Sequence, residues 1–285
     1  MKREADEEKR KRYRQEDLQR LKRFTPMDDT FMRCMFKDNL PLAQMVLRII
    51  LEKDDLVLTH CETQADMKRV TGARSICLDA YGTDSTGKKY NIEVQRINDI
   101  SLIKRARYHS SILDVENLDE GQNFHELPDT YVIFITEKDL FGAGKAVYTI
   151  KTAIKDTDIN YEDGKHILYV NGKYDGDDAI GRLMHDFRCS EAGEMNYQLM
   201  AERTRYLKEN EKGVEKMCRI SEEIREEGRL EGEQIGLRRG RLDGQNSIVE
   251  LMQNLFAAGR IEDAKRATAD RDYCQQLMQE FGIAQ

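Results

Sequence analysis

The chain has 285 residues, of which 35% are charged and none is tryptophan, and its formal net charge is −7. This acidic balance excludes a protein that binds nucleic acid through bulk positive charge, so any such contact requires a local basic patch. The six cysteines include no CxxC pair and the histidines complete no zinc-ligand spacing, which indicates reduced thiols. No apolar run is long enough to span a bilayer, and the first residues carry no secretory signal. We therefore expect a cytoplasmic protein that does not act at a membrane.

The first 60 residues predict a charged arm, two helices and a strand. Residues 1–23 contain ten Lys or Arg and six Asp or Glu, which is typical of a solvated helix or a disordered arm. The segment 25–29, Thr-Pro-Met-Asp-Asp, places a proline and two acids where a helix begins. Residues 39–41, Asn-Leu-Pro, open a second helix, and Leu56–Thr59 predicts the first strand.

The next elements indicate an α/β core. Thr130–Thr136 is a continuous β-branched and aromatic run, typical of a strand buried on both faces inside a mixed sheet. A helix between a hairpin and such a strand calls for a crossover connection. These patterns predict a core over residues 25–155. The other predicted elements are a hairpin at 75–95, a helix from Asn98 or Asp99 to Leu118, strands at 146–154 and 165–170, and helices from Asp177.

The hairpin carries two carboxylates at matching positions. Its loop is residues 85–87, Ser-Thr-Gly, with the glycine free to take the left-handed conformation that three-residue hairpins favour. If Asp84 pairs with Lys88, then Asp79 lies directly opposite Glu93. The apolar residues alternate with the acids in both arms and form the dry face of the hairpin: Leu78, Ala80, Ile92 and Val94. A slip of one residue would bury an acid in that layer, so the pattern supports this register.

Two opposed carboxylates suggest a cation between them. They lie about 5 Å apart at Cβ and repel each other unless a positive charge intervenes. A hard divalent ion prefers oxygen ligands of this kind. We expect Asp79 and Glu93 to point outward together, with Gln95 on the same face because it is two residues further along. The alternative is the ordinary solvated face of an amphipathic hairpin.

The helix after the hairpin carries a polar stripe. Lys104, Arg107, Tyr108 and Ser111 recur at helical spacing, and we expect this stripe to flank the acids. Carboxylates that hold a cation beside basic and hydroxyl groups suit a phosphodiester, because Lys and Arg hold phosphate oxygens. The alternative is a solvated basic face. His109, a lone histidine on this helix, is interpreted as structural.

The tail has a glycine at every fourth position from Gly228 to Gly244. On a helix these glycines trace a slowly winding groove, and each costs about 1 kcal/mol in a helix interior. The repeated cost favours a close approach by another helix, either from a second copy or from the protein's own body. The alternative is a flexible linker.

The residues of the hairpin resemble those of a known protein family. Asp79 followed by Glu93-Val94-Gln95 resembles the acidic hairpin of PD-(D/E)XK nucleases, and Arg74–Arg96 is similar to the Rpn-like recombination-promoting nucleases (putative transposases). The resemblance covers residues 24–245 and implies a restriction-endonuclease-like α/β fold: a mixed central sheet flanked by helices, with a long helical C-terminal extension.

The resemblance also implies a metal-dependent DNA endonuclease that promotes recombination or accompanies mobile elements. Asp79 and Glu93 would hold Mg²⁺, with Mn²⁺ as a substitute. Asp29 of the first helix, with Asp28 behind it, is the candidate for a further acid; the alternative is that Asp29 is an ordinary acid at a helix start. Gln95 falls where the superfamily has lysine; it can orient water but brings no charge. No proline precedes Asp79, so the literal motif is incomplete.

We predict three regions: a charged arm at 1–23, a nuclease-like domain at 24–210 and a helical, glycine-periodic extension at 211–285. The first hypothesis is a Mg²⁺-dependent DNA endonuclease in which Lys104, Arg107 and Tyr108 grip the DNA backbone. It dimerises through the C-terminal helical region, because cutting both strands needs two sites. The alternative is a catalytically inactive nuclease-like protein that acts as an oligomeric scaffold or a nucleic-acid binding module.

Overall fold

The computed structural model describes residues 19–67, 76–96 and 100–283. The chain divides into two compact units, with the boundary between Ser221 and Glu222. The predicted charged arm falls outside the described residues except for a helical stretch at 19–23. Asn98 and Asp99, the predicted cap of the third helix, also lie outside them.

The described part of the first unit contains a six-stranded sheet and, between residues 29 and 209, five α-helices. The strands are β1 Leu58–Met67, β2 Ile76–Asp84, β3 Lys89–Gln95, β4 Thr130–Thr136, β5 Val147–Ile150 and β6 Lys165–Asn171. The helices are α1 Asp29–Phe36, α2 Leu40–Leu51, α3 Ser101–Glu116, α4 Ala179–Arg188 and α5 Gln198–Glu209. A further helix, α6 Glu211–Ala257, begins in this unit and continues into the second, which also holds α7 Ile261–Ala269 and α8 Arg271–Glu280.

The sheet is mixed, with the strand order β1-β2-β3-β4-β6-β5. The β3–β4 and β4–β6 pairs are parallel and the other three are antiparallel. Every residue of β4 is buried, as its apolar sequence predicts for an inner strand. The α3 connection between the parallel strands β3 and β4 is the predicted crossover.

One face of the sheet packs against α3. Leu102, Ala106 and Leu113 of this helix contact Val132 and Phe134 of β4 in one apolar cluster. Side chains alternate along a strand, and β3 pairs with β4 so that Glu93 lies beside Phe134. Glu93 therefore belongs to the face that α3 covers.

Three predicted boundaries are wrong. The first strand is not Leu56–Thr59 but the longer β1, in which His60 and Glu62 are exposed. Because an edge strand accepts polar residues, the hydropathy of the sequence did not reveal the full length of β1. The fifth strand ends at Ile150 rather than at residue 154. The α/β core extends beyond residue 155, because β6 pairs with the central strand β4.

The glycine-periodic segment lies within one continuous helix, α6, and is therefore not the flexible linker considered as the alternative. A Cβ added at any of its five glycines, from Gly228 to Gly244, would meet no atom within 4 Å. After α6 the chain turns back, and α7 and α8 pack on its end through Leu251 and Leu255. Among the described residues, no helix is long and apolar enough to cross a membrane.

Candidate active site

The hairpin of β2 and β3 has the predicted register. Asp84 N donates to Lys88 O at 3.1 Å, and Ala80 pairs with Ile92. Gly87 takes the left-handed conformation, with φ of 87°. The Asp84 carboxylate accepts hydrogen bonds from Thr86 N and Lys88 N, which fixes the turn. Because the turn fixes the register, it also fixes which residues face each other at the far end of the hairpin.

Asp79 and Glu93 face each other at that end. Asp79 N donates to Glu93 Oε1 at 3.3 Å, and Val94 N donates to Asp79 Oδ2 at 3.2 Å. The prediction that the acids point outward into solvent is wrong: Asp79 is 5% exposed and Glu93 is fully buried. Packing of α3 over this face of the sheet, which an isolated hairpin does not reveal, accounts for the burial of Glu93.

Burial raises the pKa of both carboxyls. For Asp79 the next contribution is repulsion from Asp29, and for Glu93 it is repulsion from Asp79. The charged form of each acid is disfavoured because water is absent and the neighbouring charges are negative. Ionising both acids is therefore unfavourable unless positive charge lies close to them.

Two arginines approach the pair from different helices. Arg105 of α3 places Nη2 3.3 Å from Glu93 Oε2 and donates from Nη1 to Gln95 Oε1 at 3.0 Å. Arg33 of α1 places Nε 3.8 Å from Asp79 Oδ1, and this Nε has no hydrogen-bond acceptor in the part of the chain that the structure describes. Both contacts oppose the rise in the pKa of the acids.

His109 lies directly behind Glu93. It is 2% exposed, and its Nδ1 is 3.6 Å from Glu93 Oε1. Arg105 Nε donates to His109 Nε2 at 3.3 Å, so in the neutral ring Nδ1 carries the proton. Asn91 places its amide nitrogen 3.4 Å from that Nδ1, while its Oδ1 has no partner among the described residues.

Residues 38–172 match the family model for the PD-(D/E)XK nuclease family transposases. The match covers 135 of the 285 residues, and this part of the chain is similar to that family. The mixed sheet with flanking helices is the restriction-endonuclease-like architecture predicted from the sequence. No curated protein and no solved structure matches the chain.

The family region contains all the residues around Glu93, whereas Asp29 lies before it. Asp29 forms an ion pair with Arg33 at 3.2 Å, and its side chain is half-exposed. Asp28 precedes α1, and its side chain makes no capping hydrogen bond to the helix. Its carboxylate accepts a hydrogen bond from Thr25 N, and Arg96 binds its other oxygen. The negative charge of Asp29 contributes to the raised pKa of Asp79, and Arg33 forms an ion pair with each of these two acids.

The predicted polar stripe of α3 does not flank the acids. Lys104 and Arg107 are exposed and line a separate cleft, and Tyr108 packs against the apolar cluster under α3. Arg105 and His109, four residues apart and therefore on one side of the helix, are the residues that reach Glu93. The sequence carries charges on several sides of α3, and only the buried residues of the helix determine which side faces the sheet.

Asp79 and Glu93 suit a hard divalent cation. Their oxygens are the ligands that Mg²⁺ prefers. Burial first, and repulsion between acids second, raises the pKa of both carboxyls, and a bound cation would favour their charged forms. No group of three or more His, Cys, Asp and Glu residues in the described part of the chain could hold a metal. The ion would therefore depend on these two carboxylates and on water, of which Mg²⁺ keeps several molecules.

Proposed function

We propose that the protein is a metal-dependent DNA endonuclease in which Asp79 and Glu93 hold Mg²⁺, with Mn²⁺ as a substitute. The observation that carries the proposal is the pair itself: two carboxyls buried side by side in the family's acidic hairpin. Burying two like charges that Arg105 and Arg33 only partly compensate costs free energy on the order of a few kcal/mol. A pair kept at that cost is expected to have a ligand that restores the balance.

Each residue around the pair has a distinct role in this proposal. The ion polarises a phosphoryl oxygen and lowers the pKa of water when it is bound. Arg105 supplies the positive charge that Gln95 lacks, next to Gln95 Oε1, where a phosphate oxygen can be held. The Gln95 amide NH₂ orients the attacking water in this proposal, since Arg105 engages its oxygen and the NH₂ has no hydrogen-bond acceptor among the described residues. His109 and Asn91 keep the Glu93 carboxylate in position.

DNA as substrate, and a role in recombination or with mobile elements in the cytoplasm, follow from the family and belong to the proposal. Lys104, Arg107 and Tyr108 contact DNA beside the site rather than within it. Dimerisation through α6 would bring two sites to the two strands. The exposed apolar residues on α6 support this seam: Leu230, Ile235, Leu237 and Leu242.

Nicking of supercoiled plasmid tests the proposal. The wild type is expected to nick with Mg²⁺ or Mn²⁺ and not in EDTA, and Asp79→Asn or Glu93→Gln should lower the rate at least 100-fold, the scale on which a catalytic electrostatic contact acts. Glu250→Gln, an exposed substitution on α6, is the control and should cut normally. Equal rates for all four proteins would refute the assignment.

A second function is favoured by one observation. Arg105 already pairs with Glu93, so the site is partly neutralised without an ion. In that case the protein is a catalytically inactive nuclease-like scaffold or nucleic-acid binding module. It would bind DNA and show no nicking with either ion, and its affinity would not change on addition of Mg²⁺.

A further inference from the structure

A second concave site lies on another side of α3. It is a cleft of about 260 Å³ between this helix, the loop after β4 and the edge of the sheet. This volume is below the range of about 300–1,000 Å³ for drug-sized ligands, so it suits one ring system. The residues that line it are Ile103, Lys104, Arg107, Phe141, Ile150, Thr152, Lys165, Ile167 and Tyr169.

The floor of the cleft is apolar and partly open. Ile103, Phe141 and Ile150 are each 40–45% exposed, although contiguous apolar groups are usually covered. The Phe141 ring meets Tyr169 edge to face, with centroids 5.4 Å apart. Phe141 therefore presents aromatic surface to the cleft on a buried support, because Tyr169 is almost wholly buried.

The loop that carries Phe141 is held in place. The Asp139 carboxylate accepts hydrogen bonds from the backbone N–H groups of Phe141, Gly142 and Gly144, and from Tyr148 Oη. A platform fixed in advance loses less entropy when a ligand binds. Phe141 is therefore a prepared stacking surface rather than a loose side chain.

The rim of the cleft is basic. Lys104 and Arg107 are exposed, and their side chains have no ion-pair partner among the described residues. Lys165 pairs with Asp163 at 3.4 Å. Two unpaired cations around an aromatic floor, in a chain with a net charge of −7, complement a ligand that is both flat and anionic.

We infer that this cleft takes one unpaired nucleotide of single-stranded DNA. The base would stack on Phe141 while Lys104 and Arg107 hold the flanking phosphates. This arrangement is the general means by which proteins bind single strands without sequence preference. The inference rests on the proposed function only in taking DNA as the substrate.

The test is anisotropy of a fluorescent 12-nucleotide oligo-thymidine, in EDTA so that no cleavage occurs. Phe141→Ala should weaken binding roughly 5- to 150-fold, the range for loss of one stacked base. Phe124→Ala is the matched control, because Phe124 is 80% exposed and does not line the cleft. Lys104→Ala with Arg107→Ala should reduce the slope of log affinity against log salt by about 1.4, unlike the control pair Arg205→Ala with Lys212→Ala.

Two measurements on the wild type do not depend on whether variants fold. An oligonucleotide with abasic sites should bind more weakly than oligo-thymidine by the same factor as Phe141→Ala, and a blunt duplex should also bind more weakly. Equal binding of abasic and normal strands, or no binding, overturns the inference. If the wild type binds the oligonucleotide but does not nick plasmid, the nuclease proposal fails and the cleft remains. If the wild type nicks plasmid but does not bind the oligonucleotide, the cleft alone is overturned.

Discussion

Replacing Glu93 by glutamine should stabilise the metal-free protein at pH 8. Opposed strand residues are about 5 Å apart, and two unit charges at that distance repel by about 3 kcal/mol at an effective dielectric constant of 20. Attraction between Glu93 and Arg105 offsets part of this gain, because the arginine loses its partner. We expect a net gain of about 1–2 kcal/mol, or a rise in melting temperature of about 2–8 °C for a chain of this size.

The sign depends on pH. Burial raises the pKa of Glu93 and Asp79, so the folded protein binds their protons more tightly than the unfolded chain does. That contribution to stability is present below the ordinary carboxyl pKa and is lost as pH rises through the raised values. Wild type and Glu93→Gln should therefore melt at similar temperatures at pH 4.5 and diverge at pH 8.

Calorimetry in EDTA at both pH values measures this difference, with Glu250→Gln as the control. A variant that is no more stable than wild type at pH 8 would refute the reasoning, because it would mean that Asp79 and Glu93 do not repel each other in the folded protein. The same divergence at pH 4.5 would also contradict it, since the acids are protonated there.

Three further variants test other parts of the structure. Gly87→Ala should lower the free energy of unfolding by about 1 kcal/mol, because Gly87 has a φ of 87°, although a Cβ at this position would meet no other atom. Denaturant unfolding measures this change, and an unchanged midpoint would contradict the left-handed conformation of the turn. Arg105→Met should slow plasmid nicking at least 10-fold, and a nicking rate equal to that of the wild type would exclude a role for the Arg105 charge. The variant should also disfavour the charged form of Glu93, so its free energy of unfolding should fall further between pH 5 and 8 than that of the wild type. Gly236→Leu should stabilise the helix by about 1 kcal/mol yet abolish a dimer that forms through α6, as measured by light scattering. Arg238→Leu is the control, because residue 238 lies about 200° further round the helix axis, and this variant should still form the dimer.

The sequence was sufficient where local chemistry decides the structure. Thr130–Thr136 is a buried strand because it has no polar side to expose. The register that joins Asp79 to Glu93 follows from a three-residue turn that needs a glycine at position 87. Both depend on residues close together in the chain, so a single sequence contains the information.

The sequence was insufficient where a distant element decides. The burial of Glu93 depends on where α3 lies, which no pattern within the hairpin reveals. The rotation of α3 depends on which side meets Val132 and Phe134, and charges at 104, 105 and 107 gave several choices. The i, i+4 spacing of Arg105 and His109 was the available signal, since it sets a cation and a histidine on one side.

The central claim is that Asp79 and Glu93 share a cation, and Mn²⁺ binding followed by electron paramagnetic resonance tests it most directly. We predict one site per chain in the wild type at pH 8, loss of that site in Asp79→Asn and in Glu93→Gln, and weaker binding at pH 5, where protons compete for the carboxylates. Unchanged Mn²⁺ binding in both variants would contradict the account.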